Sequence, residues 1–180
     1  CSSSDESEKG NKDIEKSETT ETDSESKKES VGVEKGIFNV EVTLPASFFE
    51  GEDIDTVIAE AKKDGIKEAT KNDDGSVTYK MSKEKHKEMM TEMETGLKEY
   101  MDELLTSEDY SSIHDVSANK NYSTFTLIVD KALYEDSFDG FATMGLGMLG
   151  MYYQVFEGVD SENVKVNIDV QDVTTNEVFN

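Results

Sequence analysis

The sequence predicts an α+β domain: a single, mainly antiparallel sheet with two or three helices packed on one face, in the order β-α-β-β-α-β-β-α-β with an optional last strand. Three observations point there. Short segments alternate apolar and polar residues, as half-buried strands do. Two pairs of these segments are joined by turns rich in Asn, Asp or Gly, which makes the paired strands antiparallel neighbours. The stretches between them repeat apolar residues every three or four positions, the period of a helix face.

Phe38, Val40, Val42 and Leu44 alternate with Asn39, Glu41 and Thr43, giving a first strand that Pro45 ends. Asp53 is placed as the N-cap of a short helix in which Ile54, Val57, Ile58 and Ala61 share one face, and Gly65 stops it. Ile66–Lys71 and Ser76–Met81 flank Asn72-Asp73-Asp74-Gly75 and form a hairpin whose glycine takes the left-handed position. Ser82 caps a long helix with an apolar stripe through His86, Met90, Met93, Leu97, Tyr100 and Leu104. Ile113–Ala118 and Tyr122–Asp130 bracket Asn119-Lys120-Asn121 as a second hairpin. Phe138 to Phe156 reads as a largely buried helix, Val164 to Val170 as a strand, and Glu177–Phe179 as a short final one.

The first 36 residues differ in kind. They hold 11 acidic residues and 6 lysines, with Cys1, Ile14, Val31 and Val33 as their only apolar side chains. Such a segment buries too little apolar surface to offset its ordering entropy, so residues 1–36 are expected to be a disordered acidic linker spanning roughly 30–36 Å. Residues 37–180 are the expected globular domain. The chain carries a net charge of -23, with no arginine. Polyanion binding rests on cations that neutralise phosphates, so a nucleic-acid partner is not expected. One cysteine in 180 residues excludes a disulfide scaffold and a Cys-based zinc site.

Cys1 is the sole thiol and is followed by Ser2, Ser3, Ser4, Asp5 and Glu6. In this it resembles mature bacterial lipoproteins, whose first cysteine carries lipid. LPASFFEG at 44–51 and NDDGSVTYKMSKEKHKEMM at 72–90 are similar to segments of uncharacterised surface lipoproteins of low-GC Gram-positive bacteria. The resemblance implies lipid on Cys1, an address on the extracytoplasmic face of the cell membrane, and no particular chemistry.

Gly145-Leu146-Gly147-Met148-Leu149-Gly150 matches GxGxxG, and Asp169 follows at about the spacing of a ribose-binding acid. No strand leads directly into these glycines, so a helix in close contact with the sheet or the long helix is the better reading. Asp73, Asp74 and Gly75 fail the EF-hand register, which would put Met81 where the bidentate Glu belongs. His86 and His114 lack zinc-ligand spacing, and no GxSxG elbow occurs.

No catalytic residue, metal site or cofactor is therefore expected. The chain reads as a lipid-anchored extracytoplasmic binding protein with an unknown protein or cell-surface ligand. Candidate partner contacts are Phe48, Phe49, Tyr152 and Tyr153, two aromatic pairs near element ends. Alternative readings are an accessory subunit of a membrane transporter or wall-assembly complex, a carboxylate-based hydrolase, or a calcium-dependent adhesive module using acidic loops such as Glu50–Asp55 or Glu135–Asp139.

Overall fold

The computed structural model describes residues 34–35 and 39–180. In chain order it contains β1 (Glu34–Lys35), β2 (Asn39–Leu44), α1 (Ile54–Lys63), β3 (Glu68–Lys71), β4 (Val77–Ser82), α2 (Lys83–Thr106), β5 (Ile113–Ala118), β6 (Thr124–Val129), α3 (Lys131–Glu135), α4 (Phe141–Glu157) and β7 (Asn167–Asp172). The class is α+β, as the alternation of strand and helix periods requires.

The strands form two sheets rather than one. The first has the order β1-β2-β4-β3 and is antiparallel throughout, with Val42 opposite Tyr79 and Leu44 opposite Val77. The second has the order β5-β6-β7; β6 pairs antiparallel with β5 and parallel with β7. The single sheet is corrected by the length of α2. Ser82 closes β4 and also caps α2, its hydroxyl accepting from the Lys85 amide at 3.1 Å. With no linker, 24 helical residues carry the chain about 36 Å onward, so the next hairpin starts a sheet of its own. The parallel pair follows from α4, the crossover that joins β6 to β7.

Both long helices serve both sheets. Met89, Met90 and Met93 of α2 pack with Val40, Val42, Tyr79 and Met81, whereas Leu97 and Leu104 join Phe125, Leu127 and Val170. On α4 the order is reversed: Ala142 and Leu146 belong to the second core, Val155 and Phe156 to the first. The two helices therefore run in opposite directions. His86 Nε2 lies 2.7 Å from the Phe156 carbonyl at one end of the pair, and the Tyr100 hydroxyl donates to the Ala142 carbonyl at 3.4 Å near the other.

Other boundaries move for local reasons. Glu34–Lys35 pairs with β2 although it lies inside the segment assigned to the linker, the rest of which falls outside the described residues. The last strand begins at Asn167, because Ser161–Asn163 form a 3-10 turn before it. Glu177–Phe179 makes only one bridge, Val178 to Gln171. The expected strand ahead of the first hairpin turn begins at Glu68, since Gly65 ends α1 at φ +93° and Ile66 is buried beneath the connection.

Gly96, in the middle of α2, has no heavy atom within 4 Å of where a Cβ would stand. A helical glycine costs about 1 kcal/mol relative to alanine. Gly96→Ala is therefore expected to raise the stability by up to about 1 kcal/mol in urea denaturation.

Candidate functional site

α4 contains no charged side chain from Phe141 to Phe156. A helix that is apolar all round is normally enclosed. This one is enclosed on one side only. Ala142, Leu146 and Gly150, four residues apart, face the second core and are buried. Phe141, Met144, Met148 and Met151, spaced by three and four, form the opposite stripe and are 61%, 63%, 51% and 39% exposed. Phe138, in the turn before α4, is 83% exposed and stacks on Phe141 with centroids 6.1 Å apart. This corrects the expectation that Phe138–Phe156 is a largely buried helix.

A shallow depression of about 340 Å³ opens at the N-terminal end of the stripe, lined by Ser137, Phe138, Gly140, Phe141, Thr143 and Met144. Exposed Glu135 and Asp136 stand just before the stripe in the chain. The result is a continuous Phe/Met face with acidic residues before its N-terminal end, held by the buried stripe behind it.

The inward face explains the GxGxxG string. A Cβ at Gly145 would stand against the Tyr100 hydroxyl, and one at Gly150 would be 2.7 Å from the Tyr122 carbonyl oxygen. Both glycines let α4 approach, at the first the long helix and at the second the β5–β6 loop. They lie inside a helix, not in a strand-to-helix turn, so they form no phosphate cradle.

Tyr100, wedged into the notch at Gly145, has its hydroxyl pushed up from 10.0 to about 12, chiefly by burial and then by Tyr110 and Glu103. Tyr79, Tyr122, Tyr134 and Tyr153 are also raised, each mainly by burial. A raised value favours the neutral phenol in the fold. The stability it contributes is whole below pH 10, the unfolded value, and is lost as pH rises through about 12. Denaturant melts at rising alkaline pH are expected to weaken in step with tyrosinate absorbance.

The aromatic pairs singled out in the sequence are engaged internally. Phe48 packs on Tyr152 with centroids 4.7 Å apart, and Phe49 is buried in the first core. Tyr153 meets Tyr122 edge-on at 4.8 Å. Cys1 lies outside the described residues. Of the acidic loop residues, Asp139 is buried and accepts from the Ser112 amide at 2.9 Å and from its hydroxyl, while Glu135 and Asp136 stay in solvent. Among the described residues no three His, Cys, Asp or Glu side chains gather closely enough to hold a metal ion, and no helix is long and apolar enough to cross a membrane. A second concavity of about 470 Å³ lies between α1 and α2, where Val57, Ile66, Tyr79 and Met89 are rimmed by Glu60 and Lys85.

No family model, curated protein or solved structure matches the chain. The site is therefore judged on its own geometry. It holds exposed aromatic and thioether side chains, an arrangement suited to contact with an apolar surface.

Proposed function

We propose that the chain is a non-catalytic binding protein of the extracytoplasmic membrane face, held there by lipid on Cys1, and that it engages its partner through the outer face of α4. The observation that carries the reading is the contiguous stripe Phe138, Phe141, Met144, Met148 and Met151, exposed on an otherwise well-packed helix. Burying one such side chain is worth about 1.5–3 kcal/mol. Five left in water along one line mark a surface made to be covered. The sole thiol at Cys1, ahead of an acidic Ser-, Glu- and Lys-rich segment, supports the anchoring half of the proposal.

Photo-cross-linking in intact source cells tests it. A photoreactive residue at Met148 is expected to give a discrete adduct, and one at exposed Thr91 on α2 is expected to give none. Adding Phe141→Ser and Met144→Ser should remove the Met148 adduct. Equal yields at the two positions would overturn the assignment of the face. Cys1→Ala should move the protein from the membrane to the soluble fraction; retention there would overturn the anchor.

A further inference from the structure

We infer that the occupant of the α4 face is an amphipathic helix of another protein, with Lys or Arg flanking its apolar stripe; this rests on the α4 face being the binding surface. Shape comes first. The stripe extends over about three turns, the reach of a helix laid alongside, and the depression at Phe138, Phe141 and Met144 suits a single anchoring side chain. Three of the five apolar residues are methionines, whose unbranched, polarizable chains adapt to such a surface.

Charge then chooses among the occupants. A second copy of this chain would have to approach against its own net charge of -23, with Glu135 and Asp136 exposed beside the shared face. A lipid surface is met by helices with basic residues beside the apolar face, and here the flanking residues are acidic. Residues 1–33 of the chain itself offer only Cys1, Ile14, Val31 and Val33 as apolar groups, too few to cover the stripe. A basic amphipathic helix satisfies both the apolar face and the acids Glu135 and Asp136 at its N-terminal end.

The test uses the full chain and two labelled synthetic helices of about 18 residues, one of Leu and Lys and one of Leu and Glu in the same pattern. Saturable binding of the Leu/Lys helix is expected, at least about tenfold tighter than the Leu/Glu helix and weaker at about 0.5 M salt. Because a chain this acidic attracts any cation, the deciding variant preserves charge. Phe138→Ser/Met144→Ser/Met148→Ser should lower affinity for Leu/Lys about tenfold or more with the melting temperature unchanged. Glu135→Lys/Asp136→Lys should lower it too, and serves if the triple variant fails to fold.

Unchanged binding by either variant, or equal binding of the two helices, overturns the inference. So does sedimentation showing a dimer that the triple variant abolishes, or co-flotation with phosphatidylcholine vesicles that depends on the stripe. A Met148 adduct that persists when the Leu/Lys helix fails to bind would leave the α4 face as the binding surface and reject only this class of partner.

Discussion

Gly150→Ala is expected to destabilise the protein by about 1–3 kcal/mol, although the same change at an open helical position gains about 1 kcal/mol. Overpacking wins here because of what the new methyl meets. Its ideal position lies 2.7 Å from the Tyr122 carbonyl oxygen, 3.0 Å from Phe125 Cε2 and 3.1 Å from Val166 Cγ2. Backbone is the closest obstacle, and that backbone is already committed. Tyr122 sits at φ +53°, a conformation bulky residues seldom adopt, in a loop that Asn119 ties down by accepting from the Ser123 and Thr124 amides. The loop has no slack with which to retreat, and Phe125 is wholly buried. Urea denaturation of Gly150→Ala beside Gly96→Ala checks the argument, since one sequence change should act in opposite directions. A Gly150→Ala protein as stable as the native one would refute the close approach of α4 to this loop.

Asp139→Ala should cost a comparable amount, about 3 kcal/mol, through unpaired polar groups rather than steric conflict. Asp139 is 3% exposed and accepts both the amide and the hydroxyl of Ser112, itself fully buried. Twenty-seven residues separate the partners, so this carboxylate pins the segment before α4 to the strand edge at β5. Truncation strands a buried N–H and a buried O–H together. Asp139→Asn retains an oxygen acceptor and is expected to lose less. Thermal melts of the two variants, with amide exchange at Ser112, distinguish this from a general surface effect: only the Ala variant should expose the Ser112 amide.

Alternation of Val40, Val42 and Leu44, or of Phe125, Leu127 and Val129, predicts strands because each residue on the core face is buried and its neighbours are not. Hairpin turns at Asn72–Gly75 and Asn119–Ser123 likewise follow from local chemistry, with Gly75 at φ +84° and Asn119 bonding across its loop. Which hairpin joins which sheet is not encoded locally. It depends on the rigid span of α2, a property of the helix as a whole. Phe141, Met144, Met148 and Met151 illustrate the same limit for the candidate site. Hydrophobicity on both sides of α4 is the signature of an enclosed helix, and only the folded chain shows that, among the described residues, no element covers the outer side. Phe48 and Tyr152, 104 positions apart, close on each other with centroids 4.7 Å apart, a pairing that no local pattern announces.

The antiparallel pairing of α2 with α4 bears on how the molecule comes apart. Each helix contributes side chains to both cores, so neither sheet can shed its covering without stripping the other. Two sheet-and-helix halves, each with its own core, are thereby joined into one cooperative unit. A calorimetric trace should contain a single transition whose van't Hoff and calorimetric enthalpies agree. Slowly exchanging amides in β4 and β6, on different sheets, should share the same opening free energy. Any partner that grips α4 then stabilises the entire domain, including strands it never touches.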